Sequence, residues 1–282
     1  MKTRIVGLLA ETPIHPGAGR STGVIDLPVA REAATDYPVL VGSSLKGALR
    51  DLYRRRHPDS SGSDQPGPEE QTLDRLFGRQ DSAGALLISD ARLLLLPVRC
   101  LTGNYRWLTC PHLLERLARD GRRAGIPPVE AVQDPGEGRF LGADKDDLFL
   151  EERQFQPAGD LPQGVIAALA ALVLHPETQA RLAAQTTVLS DSDFAWFARY
   201  GLPIQARNVL EKDTKTSKNL WYEEHLPPDT LFCALLAERQ DGVLDQLETL
   251  FREDPYLQAG GNETVGQGWF AVRVVPSQGG AS

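Results

Sequence analysis

The chain has 282 residues, of which 24% are charged and 41% hydrophobic. That balance excludes a disordered or fibrous chain and leaves room for one large or two small globular domains. The formal net charge of −8 excludes a protein that grips nucleic acid by an overall positive coat, but not one with a local basic groove.

The three cysteines, Cys100, Cys110 and Cys233, are far apart and form no C-x-x-C pair. They argue against a disulfide framework or a cysteine zinc site and for a reducing compartment. The apolar run Ile5 to Ala10 is too short for a signal-peptide core, and no apolar stretch has the ~20 residues of a membrane helix. The expected location is therefore cytoplasmic, with no membrane partner. Charge is uneven: residues 1–57 carry nine basic and five acidic residues. That asymmetry is compatible with a polyanion site in the N-terminal part, or with chance surface composition.

Arg4 to Glu11 reads as a buried strand. Residues 12–42 form a long segment rich in Pro and Gly, with Val24 to Val29 able to anchor it to the core, as expected of an ordered functional loop. Ser43 and Ser44 are expected to cap a helix, along which Leu45, Ala48, Leu49, Leu52 and Tyr53 make an apolar stripe. Lys46, Arg50 and Arg54 recur every four residues and share another face. The helix ends near His57-Pro58, and residues 58–68, all turn-forming or polar, read as a surface loop. A short helix from Glu69 to Phe77 is closed by Gly78.

Ala85 to Leu96 reads as one long strand. Residues 121–164 hold twelve Gly or Pro and read as an irregular insertion with little regular structure. Val165 to Leu174 is predicted helical and Thr186 to Leu189 a short strand. Ser190 caps the next helix, with Asp191 and Asp193 in its first turn and Phe194, Phe197 and Tyr200 expected to be buried. Residues 203–225 look like two strands around a polar tip. Leu231 to Ala237 is a central strand, Val243 to Phe251 an amphipathic helix, and 256–260 and 269–275 the last strands. The strongest elements follow the order β-α-β-β-α-β, which predicts an α+β fold with a ferredoxin-like (RRM-like) sheet.

Three motifs carry possible chemistry. In Thr12-Pro-Ile-His15-Pro-Gly17-Ala-Gly19, prolines set the backbone and glycines permit close approach; a plain surface turn has the same composition. Gly42-Ser43-Ser44-Leu45-Lys46-Gly47 offers helix-start amides, two hydroxyls and a lysine to a phosphate, although a serine N-cap alone would look similar. In Gly260-Gly261-Asn-Glu-Thr-Val-Gly266-Gln-Gly268-Trp269, four glycines allow a backbone to lie against a sugar–phosphate chain; a loose hairpin loop is the alternative. No Walker A loop, nucleophile elbow or H-x-x-x-H metal spacing occurs.

Taken together, these motifs resemble the backbone subunits of type III-B (Cmr) CRISPR effector complexes, in the RAMP superfamily. The similarity continues through Gly23-Val-Ile-Asp26-Leu-Pro-Val-Ala-Arg31-Glu32, Ser89-Asp90-Ala91-Arg92, Arg207, Thr214-Lys215-Thr216 and Leu220-Trp221-Tyr222-Glu223-Glu224. Gln267 departs from it, standing where a phosphate-binding lysine is expected. The resemblance implies a ferredoxin-like palm (about 1–57, 84–99 and 229–276), an insertion (about 100–185) and a β-hairpin thumb (about 203–228). It implies a filament of copies along a CRISPR RNA within a complex with other Cmr subunits, cutting paired target RNA beside bases displaced by the thumb. By position the cleaving residue is Asp26, acting as general base or as ligand of a divalent metal, with Mg²⁺ the expected ion. The RNA-binding residues implied are His15, Ser43, Ser44, Lys46, Arg50, Arg54, Arg207, Lys215, Lys218, Trp221, Gly260, Gly261, Gly266 and Gly268. A non-catalytic RNA-binding backbone subunit and a stand-alone RAMP endoribonuclease are the alternatives.

Overall fold

The computed structural model describes residues 1–21, 23–58, 67–126 and 128–276. Most of the polar stretch expected to be a surface loop, residues 59–66, therefore lies outside the described residues. In chain order the first elements are β1 (Thr3–Ala10), β2 (Val39–Leu40), α1 (Gly42–Arg56), α2 (Pro68–Phe77), β3 (Gly78–Arg79) and β4 (Ser82–Ala83). Next come β5 (Leu86–Ile88), β6 (Ala91–Arg99), β7 (Tyr105–Thr109), α3 (Pro111–Ala124), β8 (Arg139–Leu141), β9 (Leu148–Leu150) and β10 (Arg153–Gly159). The remainder are α4 (Gln163–Ala170), α5 (Pro176–Gln185), β11 (Thr186–Leu189), α6 (Asp191–Tyr200), β12 (Ile204–Leu210), β13 (Ser217–Glu224), β14 (Leu231–Glu238), α7 (Val243–Glu253), β15 (Tyr256–Gln258) and β16 (Trp269–Val275).

The fold is mixed α+β, as the alternation of patterns predicts. One twelve-stranded sheet runs β15-β16-β1-β14-β6-β7-β11-β8-β10-β9, with β2 added to β6 and β5 to β14. From β15 to β7 neighbouring strands are antiparallel. The β7–β11 and β8–β10 pairs are parallel. Every residue of β1 is buried, as befits a strand covered on both faces. On one face Arg4 pairs with Glu248 of α7. On the other, Gly7 lies under the backbone of Leu172, whose oxygen a Cβ there would approach to 2.0 Å.

Four expectations are corrected. The stretch 85–96 is not one strand: β5 and β6 are separated at Ser89-Asp90, whose side chains leave the ladder, Ser89 Oγ to accept from the Leu235 N–H and Asp90 Oδ1 from the Gly42 N–H. That second bond also displaces the expected serine caps. Val41 is the N-cap, without a side-chain cap bond, and Ser43 and Ser44 sit exposed in the first turn of α1. The insertion at 121–164 is not irregular. It ends α3 and supplies β8, β9 and β10, whose Phe140, Leu148, Leu150 and Phe155 are fully buried. Glycine and proline there mark turns between short strands, not their absence. Tyr200 is 66% exposed, because six residues on from Phe194 a helix has turned well away from the buried stripe.

Candidate nucleic-acid interface

The hairpin of β12 and β13 stands out from the sheet as its own two-stranded ribbon. Most of its side chains are exposed until β13 re-enters the protein at Glu223 and Glu224. Its polar tip lies between Leu210 and Ser217. Lys215 there adopts φ +57°, and Lys218 pairs with Glu211. Two clefts are lined by parts of the 12–31 segment, and the second of them also by the root of this hairpin.

The first cleft gathers all three sequence motifs. It has a volume of about 660 Å³ and is lined by His15, Pro16 and Gly17, by Ser44 and Gly47 of α1, and by Gly260 and Gly261 among others. Backbone bonds weld the motifs together: Gly261 N–H donates to His15 O (2.8 Å) and Gly268 N–H to Pro13 O (3.1 Å). Trp269 N–H donates to Thr12 Oγ1 at 3.1 Å. A Cβ on Gly261 would sit 3.1 Å from the His15 ring. His15 is buried, with Nδ1 2.8 Å from Glu224 O. A carbonyl only accepts, so Nδ1 carries the hydrogen. Gly260, Gly266 and Gly268 all hold positive φ. Gln267 is buried and accepts from Asn262 Nδ2.

The basic face of α1 is only partly available. Arg50 donates to Gly78 O at 2.8 Å and meets Asp74 Oδ1 at 3.3 Å. Lys46 and Arg54 form no ion pair among the described residues. Asp51 and Glu263 also line the cleft, whereas Lys46 and Arg54 lie outside its lining, so within it attraction for a polyanion rests on the first-turn amides of α1.

The second cleft, about 460 Å³, is lined by Arg20, Ser21, Asp26, Leu27, Asn219, Leu220, Trp221 and Glu223. Asp26 is half-buried. Its Oδ2 accepts from the Tyr222 N–H at 2.8 Å, and Leu27 N–H donates to Tyr222 O at 3.1 Å. Oδ1 has no protein donor among the described residues. Trp221 Nε1 donates to Glu223 Oε1 at 2.7 Å, which sets the indole against this cleft.

Behind both clefts lies a polar cluster that sequence reading left without a role. Glu223, 3% exposed, accepts from Trp221 and from Asn262 Nδ2 (2.9 Å) and lies 3.0 Å from Arg207 Nε. Burial alone would raise its pKa. The hydrogen bonds from Trp221 and Asn262 and the charge of Arg207 outweigh burial and hold the carboxyl below the usual carboxylate range. His225 packs 5.4 Å from the His15 ring with Nε2 3.4 Å from Glu223 Oε2, and among the described residues neither of its ring nitrogens has a well-aligned hydrogen bond. Burial, aided by His15, pushes its pKa down. Two consecutive glutamates ending an otherwise half-apolar strand were the available signal for this cluster. Nothing in the sequence singled out Arg20.

A divalent ion held by protein ligands alone does not fit here. No group of three His, Cys, Asp or Glu side chains able to hold one occurs among the described residues, and both Glu223 oxygens already have donors. Nor, among the described residues, is any helix long and apolar enough to cross a membrane.

The profile of the RAMP superfamily matches residues 8–271. The CRISPR system Cmr endoribonuclease Cmr4 of Pyrococcus furiosus is 31% identical over 292 aligned positions, spanning 96% of this chain and 95% of the relative. Oligomeric Cmr4 from Pyrococcus furiosus superposes with a TM-score of 0.74 at 25% identity, covering 98% of each chain. A chain of the type III-B Cmr-beta complex bound to cognate target RNA superposes with a TM-score of 0.77 at 21% identity and 98% coverage of each chain, a likeness of fold. A profile matched from β1 to β16 and a relative of that identity aligned along both chains leave one conclusion: this chain belongs to the RAMP superfamily, in the family of the CRISPR Cmr4 subunits.

Proposed function

We propose that the chain is a backbone subunit of a type III-B CRISPR effector that binds CRISPR RNA as a filament of copies and cleaves complementary target RNA, in the cytoplasm and beside other Cmr subunits. The observation that carries this reading is Asp26 at the root of the hairpin, in one cleft with Arg20, Leu220 and Trp221. In this reading β16-β1-β14-β6, with α1 and α7, is a ferredoxin-like palm occupying about 1–57, 84–99 and 229–276. The insertion spans about 100–185, and β12–β13 is the thumb, within about 203–228. The antiparallel order β16-β1-β14-β6 supports it.

The guide backbone runs through the first cleft, over the glycine loop and the start of α1, with Ser44 facing phosphates inside it and Ser43 and Lys46 meeting the RNA chain outside its lining. Base pairing reads the target, and the protein reads backbone shape. The hairpin, through Arg207, Lys215, Lys218 and Trp221, parts neighbouring nucleotides, and the indole offers a stacking face to a displaced base. Displacing that base turns the adjacent 2′-hydroxyl into line with its phosphate. Asp26 Oδ1 takes the hydroxyl proton as the 2′-oxygen–phosphorus bond forms and the phosphorus–5′-oxygen bond breaks; the leaving oxygen takes its proton from water. Arg20 faces the negative charge that gathers on the phosphoryl oxygens. Since the protein's own donors do not make a metal cage, no step is assigned to Mg²⁺.

Asn for Asp26 tests the assignment, because its amide oxygen still accepts from the Tyr222 N–H while the base is removed. In a complex reconstituted on guide RNA, Asp26→Asn should lose about 10²–10⁴-fold in single-turnover cutting, the span of general-base catalysis, with target affinity kept. Wild-type cutting by that variant would favour a non-catalytic backbone subunit. Cutting of precursor RNA by the isolated chain would favour the stand-alone nuclease.

A further inference from the structure

We infer that Glu224, through its ion pair with Arg31, is the positioning residue of the cleavage centre: it clasps the Asp26 loop to the hairpin from both sides of Asp26. The inference rests on the reading of Asp26 given above.

Glu224 is the last residue of β13 and is 4% exposed. It holds the loop at four points. Its backbone oxygen takes the His15 Nδ1 hydrogen at 2.8 Å. Its N–H donates to Leu27 O at 3.0 Å. Its side chain accepts from Val29 N–H at 3.0 Å and from Arg31 at 2.7 Å. Asp26 lies between the first and second of these points, and its own carboxylate takes the N–H of Tyr222, two residues before Glu224. Position and orientation of the carboxylate are thus set by one strand end.

Arg31 makes the far side of the clasp rigid. Beyond Glu224 it donates to Asp36 O (2.9 Å) and to Ala198 O near the end of α6 (2.8 Å). Its neighbour Glu32 takes both arms of Arg116 on α3 at 2.6 and 2.7 Å. Neither Glu224 nor Arg31 lines the Asp26 cleft, so neither touches the reacting atoms. A guanidinium held by a carboxylate and two carbonyls has little freedom left, and it carries that constraint back to Val29 and Leu27. The hairpin that displaces a base and the loop that supplies the general base then move as one body. A thumb seated between nucleotides brings Asp26 into register by that act.

The test uses the complex reconstituted on guide RNA with an end-labelled complementary target, read as single-turnover cleavage rate, target affinity and melting temperature. Glu224→Gln keeps an acceptor for Val29 but removes the charge opposite Arg31; Arg31→Lys keeps the charge but loses the fork. Each should slow cleavage about tenfold or more, in line with what small misplacements do to catalysis, while target affinity stays within about twofold. Asp144→Asn, which breaks the ion pair to Arg106 away from the loop and from α6, is the control and should leave cleavage unchanged. Cleavage by Glu224→Gln and Arg31→Lys within about twofold of wild type would overturn the clasp, as would an equal slowing in Asp144→Asn. If Glu224→Gln fails to assemble, Arg31→Lys decides alone by the same criteria. Asp26→Asn in the same panel separates the two claims: if it cuts normally the cleavage assignment falls, and if it alone is dead the clasp falls.

Discussion

Gly268 and Gly266 lie two residues apart in the glycine-rich loop, and the structure assigns them different penalties for gaining a methyl group. Both have positive φ, +82° at Gly266 and +86° at Gly268, a region that costs an alanine about 1–2 kcal/mol. At Gly266 nothing lies within 4 Å of a built Cβ, so the strain is the whole effect. At Gly268 the Cβ would stand 2.5 Å from the Ala259 carbonyl oxygen, a backbone atom with no rotamer to escape into. Relief requires the strand end to move, which breaks the 2.9 Å bond from Ala259 N–H to Gly268 O and adds about 0.5–1.5 kcal/mol. Gly268→Ala should therefore cost about 1.5–3.5 kcal/mol and Gly266→Ala about 1–2. For a chain of this size that is a melting temperature lower by roughly 3–14 °C for Gly268→Ala and roughly 2–8 °C for Gly266→Ala. Gly266→Asn should recover part of its smaller loss, since asparagine enters the left-handed region more readily. Thermal melts of the three variants side by side check the order. A Gly268→Ala melt no lower than that of Gly266→Ala would refute the reasoning. Because Gly268 N–H also holds Pro13 O, only Gly268→Ala should loosen the first cleft and weaken guide affinity as well.

Single-stranded RNA contacts reveal themselves in the salt dependence of binding. Lys46→Ala and Arg54→Ala should each flatten the slope of log affinity against log salt by about 0.7, whereas Arg50→Ala, whose side chain is engaged with Gly78 and Asp74, should leave the slope unchanged and lower the melting temperature. Acid should destabilise the protein through His225, which lies among His15, Glu223 and Arg207. Its folded-state pKa is below the ordinary 6.5, so its contribution is intact above pH 6.5 and is lost as pH falls through the folded value, where the unfolded chain binds the proton first. His225→Phe should flatten that stretch of the melting-temperature profile, and an unchanged profile would exclude His225 as its source. Deleting residues 211–216 and closing the hairpin with Asn-Gly should leave the melting temperature within a few degrees, as the tip is exposed, yet abolish regular filaments on guide RNA in electron micrographs.

Local signals sufficed for much of this molecule. The continuous apolar runs of β1 and β14, the 3.6-residue stripes of α1 and α7, and the polar tip between β12 and β13 each announce themselves within about a dozen residues, because period and turn chemistry are properties of the chain itself. The three motifs were also legible, and it is their resemblance to a family that puts Asp26 forward. What stayed hidden depends on residues far apart in sequence. The break at Ser89-Asp90 exists because a helix amide and a strand amide, Gly42 and Leu235, claim those side chains. Lys46 and Arg50 share one helical face in sequence, yet Arg50 is taken up by Asp74 and Gly78 through tertiary packing. Nothing local in the sequence marks Glu223 and Glu224 as buried. They are buried because Arg207 and Arg31 meet them across the fold, and a charge leaves water only where a partner awaits it. Sequence alone therefore determined the long strands and helices with unbroken patterns, though not the short strands of the insertion or the break at Ser89-Asp90. Tertiary structure decided which charges stay unpaired and which tie the loop around Asp26 to the hairpin, since ion pairing and burial follow distance in space, not spacing along the chain.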